Sequence, residues 1–252
     1  MQIAIITGAS SGIGRSAAVQ VARRGVGVVL TYRGNPSGAK EAVAGIEREG
    51  GTACALPLDV GRSDTFAEFV EALAGVLRDN WRRTTFDFLV NNAGFGGMSM
   101  FEDTSPELFD EFYRVLLKGP YFLTQTLLPL LADGGAIVNV ASNSALPSSV
   151  EPGYSAYASM KGGLIVLTRY LAMELSGRGI RVNAISPGST RTRIGDDAFE
   201  RYPEVIDVLA AKTALGRIGE PDDVGLAIAA LLGEEGRWIT AQNIEVSGGF
   251  NL

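Results

Sequence analysis

Ile3-Ala4-Ile5-Ile6-Thr7-Gly8-Ala9-Ser10-Ser11-Gly12-Ile13-Gly14 is the stretch that decides the fold. Its apolar start reads as a buried strand, and a glycine-rich turn leads without a spacer into a helical pattern from Gly12 to Arg24. Glycines at 8, 12 and 14 allow a tight turn and a close approach to a pyrophosphate, while the unpaired N–H groups of a helix start attract anions. The turn reads as a dinucleotide site, with Gly8, Ser10, Ser11, Gly12, Ile13 and Gly14 as its contacts. A purely steric use of the glycines is the competing reading.

Outward from this turn, short Val- and Ile-rich runs alternate with helical segments. Strands are expected at Gln2–Thr7, Gly27–Tyr32, Thr52–Leu56, Phe86–Asn91, Gly135–Ala141, Ile180–Ser186 and Asn243–Val246. Helices are expected at Gly12–Arg24, Pro36–Glu49, Ser63–Asp79, Pro106–Leu131, Tyr154–Ser176 and Asp222–Leu232. The pattern predicts an α/β doubly wound Rossmann fold: a parallel sheet of about seven strands with helices on both faces. Residues 1–252 read as one domain, with a lid near 189–215 that carries a weak helical pattern at Phe199–Ala211. Asp79–Thr85 reads as a solvated loop.

Composition removes several chemistries. The chain has no histidine and one cysteine, so Ser-His-Asp triads, Cys-His dyads and ordinary His/Cys zinc sites are excluded, and no metal is expected. Its net charge of −6 argues against a nucleic-acid partner. No apolar run reaches the roughly 18 residues that span a bilayer, so no membrane association is expected. The lone Cys54 fits a reducing compartment and a buried core position. The N-terminal residues read as a strand rather than a signal peptide, and the expected location is the cytoplasm.

Tyr157 and Lys161, four residues apart in a helical pattern, share one helix face with side chains ~6 Å apart at their roots. An ammonium beside a phenol favours the phenolate, so Tyr157 is expected to be acidified and to exchange a proton with a hydroxyl or carbonyl. Tyr154 competes for this role, but the residue four positions later is Ala158. Tyr154 is read instead as a wall of the substrate pocket.

Thr7 before the glycine turn, Asn91-Asn92-Ala93-Gly94, Tyr157-Ala158-Ser159-Met160-Lys161, Pro187-Gly188, Gly216–Val224 and Ser247-Gly248-Gly249, in this order and spacing, resemble the short-chain dehydrogenase/reductase family. The resemblance is strongest to the branch of the 3-oxoacyl-acyl-carrier-protein reductases. It implies hydride transfer between a nicotinamide cofactor and a small carbonyl or alcohol substrate. Tyr157 would act as acid or base, Lys161 would tune it and hold the nicotinamide ribose, and Ser142 after the fifth strand would polarise the reacting oxygen. Ser144 is the reserve candidate, and both serines also suit a turn.

Further cofactor contacts implied by the family are Asp59 and Val60 at the adenine, Asn91, Ala93 and Gly94 after the fourth strand, and Pro187, Gly188, Thr190 and Thr192 at the nicotinamide half. Asp59 also suits a helix cap. Tyr32 stands where NAD-specific relatives hold an Asp, and Arg33 follows it. A 2′-phosphate needs a cation and no nearby carboxylate, so NADP(H) is preferred, with NAD(H) as the alternative.

One departure is Leu116, where many family members carry an asparagine that holds water linking the lysine to solvent. A leucine side chain forms no hydrogen bond, so a relay would run through backbone carbonyls and water or be less efficient. The departure also motivates a second reading, a dinucleotide-binding sensor or scaffold without turnover. Phe95, Met98, Leu146, Tyr154 and Ile194 are the candidate pocket residues. Family habit and the apolar faces of the helices from Pro106 and Tyr154 suggest a homo-oligomer, a tetramer or a dimer.

Overall fold

The computed structural model describes residues 1–252, apart from the side-chain surroundings at positions 194, 195, 196 and 198. Its strands are β1 (Ile3–Ile6), β2 (Gly27–Tyr32), β3 (Ala53–Pro57), β4 (Phe86–Asn91), β5 (Leu131–Val140), β6 (Arg181–Pro187) and β7 (Asn243–Val246). They form one seven-stranded sheet in the order β3-β2-β1-β4-β5-β6-β7, with every pairing parallel. The expected Rossmann architecture is therefore present. Parallel strands need crossovers, and the crossovers supply the helices that cover both faces.

Along β1 the side chains alternate between two cores. Ile3 and Ile5 face a layer built from α3 (Phe66–Trp81), α4 (Pro106–Tyr113), α5 (Gly119–Leu127) and α6 (Ser155–Glu174). Ala4 and Ile6 face a layer built from α1 (Gly12–Ala22), α2 (Pro36–Arg48) and α9 (Pro221–Leu232). Burial on both sides is why the strand shows no polar alternation. On the second face α1 and α9 touch closely: a side-chain carbon at Gly225 would collide with Ser16, whose hydroxyl donates to Asp222 Oδ1 at 2.5 Å.

Strand order reverses between β1 and β4. Their carboxyl ends therefore open a crevice at a topological switch point, where this class of sheet binds ligands. Among the described residues, no helix is long and apolar enough to cross a membrane.

Five expectations change in detail. The helix expected over Pro106–Leu131 is broken into α4, a π-helical segment at Arg114–Lys118 and α5, and it ends at Leu127. Proline at 120 has no N–H for the carbonyl of Leu116, and the Gly119 N–H instead reaches back five residues to Arg114 O. β5 starts at Leu131 rather than Gly135, with Gly134 at φ +77° in the irregular stretch.

The segment expected as a lid holds two helices, α7 (Ile194–Arg201) and α8 (Glu204–Ala211), interrupted at Tyr202-Pro203, where the proline disfavours a helical residue before it. The loop expected from Asp79 begins later because α3 continues to Trp81, whose indole donates to Thr52 Oγ1 at 3.1 Å. Cys54 is only half-buried, on the edge strand β3, and burial pushes its thiol up to about 11.

Candidate active site

At the crevice, Gly8 and Gly12 have φ of +64° and +55°. A Cβ on Gly8 would stand 2.8 Å from Ala93 Cα, and one on Gly14 would overlap the Asn92 side chain. The glycines are thus needed both for conformation and for space. Thr7 fixes the turn to the end of β4. Its hydroxyl donates to Val90 O at 3.2 Å and accepts from the N–H groups of Asn92 and Ala93, each at 2.9 Å. Asn92 Nδ2 returns bonds to Thr7 O at 2.8 Å and Gly8 O at 3.2 Å. These roles of Thr7 and Asn92 lie outside what local spacing reveals; the doubled asparagine is their one signal in the sequence.

These features fit a dinucleotide pyrophosphate. Ser11 stands at the N-cap of α1 without capping it through its side chain, and no acidic residue occupies the first turn. The positive end of the helix is therefore open to an anion. Ser10, Ser11, Gly12 and Ile13 are half-buried at its rim. Thr192 covers the turn from the lid side, its Cγ2 3.3 Å from where a Gly12 Cβ would stand.

At the end of β2, Arg33 is exposed, has no ion pair among the described residues, and is followed by Gly34-Asn35-Pro36-Ser37 with no carboxylate. Asn35 caps α2 by accepting from Gly38 N at 3.0 Å. Asp59 closes a turn rather than a helix, accepting from Gly61 N at 2.9 Å, and Val60 beside it is buried.

Asn91 lies deeper than the other residues of its motif. Its amide donates to Thr124 Oγ1 at 3.0 Å and Asn139 Oδ1 at 2.8 Å, and Asn139 in turn donates to Thr168 Oγ1 at 2.9 Å. The side chain of Asn91 is committed inside the protein, tying β4 to α5 and β5. Ala93 is half-buried, whereas Gly94 is exposed and lies over Lys161: a Cβ there would meet Leu116 Cδ2 at 3.0 Å and Lys161 Nζ at 3.8 Å.

On α6, Tyr157 and Lys161 are both buried. Lys161 donates to Val140 O at 2.7 Å, with Nζ 5.9 Å from the centroid of the Tyr157 ring. Ser142 sits just after β5, capping the short turn Asn143–Ala145, close enough to the Tyr157 phenol to lower its pKa. Its Oγ accepts from Ser144 N at 3.2 Å and Ser144 Oγ at 2.9 Å. Phe112 packs edge-on to Tyr157 at 6.0 Å and stacks on Phe95 at 4.9 Å; Tyr154 flanks Tyr157 at 6.4 Å.

The acidification expected from Lys161 is reversed in this structure. Burial pushes the Tyr157 phenol up to about 12, the nearby Ser142 hydroxyl opposes this, and Tyr154 adds to it. Burial also brings the Lys161 ammonium down to about 8. Desolvation favours the neutral form of both groups. At neutral pH the phenol therefore keeps its proton, the form needed to donate one.

Pro187 and Gly188 end β6, where Gly188 N donates to Val246 O at 3.0 Å. Thr190 is buried, donates to Gly188 O at 2.9 Å and bridges to Gly219. Arg217 and Asp223 pair at 2.6 Å just before α9 and at its first turn. Of the expected pocket residues, Phe95, Leu146 and Tyr154 are half-buried and Met98 is exposed, while the side chain of Ile194 lies outside the described residues.

The strand order and its crevice place the chain in the Rossmann class of folds. A family model described as enoyl-(acyl carrier protein) reductase matches residues 8–251. The structure of the promiscuous reductase LugOII, which catalyses keto-reduction at C1 during lugdunomycin biosynthesis, superposes with a TM-score of 0.94 at 37% identity, covering 100% of this chain and 98% of that one. The angucycline C-6 ketoreductase LanV with bound NADP superposes at 0.93 with 34% identity, covering 99% and 95%. The 3-oxoacyl-[acyl-carrier-protein] reductase FabG of Staphylococcus epidermidis is 32% identical over 99% of this chain and 98% of its own. The chain belongs to the short-chain dehydrogenase/reductase family and is an oxidoreductase.

Proposed function

We propose that the protein reduces a ketone to a secondary alcohol with NADPH, or runs the reverse oxidation, through Ser142, Tyr157 and Lys161. The observation that carries this reading is the meeting of Ser142 and the protonated Tyr157 phenol at the end of β5, beside the glycine turn. Gly8, Ser10, Ser11, Gly12, Ile13, Gly14, Asp59, Val60, the backbone of Asn91, Ala93, Gly94, Pro187, Gly188, Thr190 and Thr192 would hold the dinucleotide, with Arg33 on its 2′-phosphate. NADP in the LanV structure supports that preference over NAD(H). A bound nicotinamide supplies or accepts the hydride. In reduction, Ser142 hydrogen-bonds the carbonyl oxygen and Tyr157 gives it a proton. Lys161 holds the nicotinamide ribose, and its ammonium stabilises the resulting phenolate. The Leu116 carbonyl, which Pro120 leaves without its α-helical donor, is a backbone group through which water can return the proton.

The substrate we infer is a flat, multi-ring ketone. The rings of Phe95 and Tyr154 beside Tyr157, backed by buried Phe112, favour such a partner, and the likeness to an angucycline ketoreductase supports it. Residues 1–252 would act as one domain, with 189–215 as its lid, in the cytoplasm. The protein would be a homo-oligomer, a dimer or tetramer. A groove of about 610 Å³ between α5 and α6, flanked by exposed Tyr121, Phe122, Val166 and Tyr170, suits a second copy.

Mixing the protein with NADPH or NADH and a panel including 1-tetralone and 9,10-phenanthrenequinone, while following the reduced-nicotinamide absorbance, tests the activity. Ketone-dependent NADPH oxidation is expected. Arg33→Ala should raise KM for NADPH about tenfold and leave that for NADH unchanged. Tight NADPH binding without turnover of any ketone would favour the sensor that Leu116 suggests.

A further inference from the structure

We infer that Ser144 is a positioning residue that fixes the direction of the Ser142 hydroxyl and makes it a donor toward the reacting oxygen. The inference rests on the ketoreductase reading and adds a residue to it. A serine hydroxyl has one proton to give and two lone pairs. Both lone pairs of Ser142 are occupied from the same neighbour: Ser144 N–H reaches it at 3.2 Å and Ser144 Oγ lies at 2.9 Å. The first bond has a fixed direction, because an amide N–H can only donate.

The second bond has two possible directions, and the neighbourhood selects one. If Ser142 gave its proton to Ser144 Oγ, it would have none for a ligand, and the Ser144 proton would lack a protein acceptor among the described residues. With Ser144 donating, its proton is used and the Ser142 proton is left for a ligand on the side of the Tyr157 phenol, where the substrate oxygen must also come. The direction agrees with Ser142 opposing the rise of the phenol pKa. Two accepted bonds also polarise the Ser142 O–H and strengthen it as a donor.

Local structure holds this arrangement. Ser142 is the N-cap of the turn Asn143–Ala145 and is extended, at φ −164°, so that the backbone of Ser144 returns under its side chain. Asn143 Nδ2 donates to Ser149 Oγ at 3.2 Å, with Ser149 buried, which braces the far end of the loop. Ser144 therefore acts through Ser142 without being required to touch the substrate.

The test is a double-mutant cycle on kcat with NADPH and 9,10-phenanthrenequinone, using Ser142→Ala, Ser144→Ala and the pair together. Ser144→Ala should lower kcat about tenfold with the NADPH dissociation constant unchanged, as expected for one lost hydrogen bond that acts in the chemical step. Ser142→Ala should cost about a hundredfold, and the double variant should be no slower than Ser142→Ala. Ser144→Thr should restore the rate, whereas Ser144→Val, of the same shape, should not. A full Ser144→Ala loss on top of Ser142→Ala, or equal rates for Thr and Val, would overturn the inference alone. Ser142→Ala as fast as the unaltered protein, or no ketone turned over at all, would overturn the inference and the ketoreductase reading together.

Discussion

Thr7 and Ser142 carry the same functional group at the same edge of the sheet, one after β1 and the other after β5, and their surroundings use it in opposite ways. The Thr7 hydroxyl gives its proton to Val90 O and takes two from Asn92 and Ala93, so nothing is left for a ligand. It joins two loops, and the ligand groups of that region are backbone N–H groups. The Ser142 hydroxyl takes two bonds from Ser144 and faces the Tyr157 phenol. The difference shows that a hydroxyl's role follows from where its proton is directed, more than from its position along the strand.

Removing the Tyr157 hydroxyl, which Ser142 faces, should give the largest effect. Tyr157→Phe should lower kcat about a thousandfold while NADPH binding and thermal stability stay close to those of the unaltered protein; near-normal turnover would break the contrast. A second effect follows from Lys161. Its ammonium, brought down to about 8, is charged below that pH and neutral above it. If the charged form stabilises the developing phenolate, kcat/KM for reduction should be level below about pH 8 and fall about tenfold per unit above it. A pH–rate profile that stays flat to pH 10 would remove Lys161 from the chemical step.

The inward hydroxyl should respond differently. Thr7→Val leaves the N–H groups of Asn92 and Ala93 without their acceptor, at a cost of about 2 kcal/mol or more. It should therefore lower Tm by several degrees and weaken NADPH binding, with kcat at saturating cofactor little changed. Calorimetry beside steady-state kinetics separates these outcomes. The smallest effect is expected at Leu116, which is buried against Gly94. Leu116→Asn should leave NADPH affinity nearly unchanged in a binding titration; a large loss would mean that this helix position touches the cofactor.

Much of the fold was legible because strand and helix signals are local. The run Ile3–Ile6, its glycine turn and the periodic segments that follow appear in the structure within a few residues of their expected ends. Breaks inside helices were harder to read. Pro120 and Pro203 were visible, but whether a proline ends a helix, kinks it or opens a π turn depends on what replaces its missing bond. At the site, the spacing of Tyr157 and Lys161 put them on one face as expected, whereas Asn92 and Ser144 gained their parts only from contacts made by distant or folded-back chain.

By itself the sequence determined the glycine conformations a phosphate turn needs, the shared face of Tyr157 and Lys161, and the absence of any histidine chemistry, because each depends on residue type and short spacing. Tertiary structure alone decided that the Tyr157 phenol is held above its ordinary pKa and the Lys161 ammonium below its own, and which way the Thr7 and Ser142 hydroxyls are committed. Desolvation and hydrogen-bond direction are set by the atoms packed around a group, and those atoms come from strands and helices far apart in the chain.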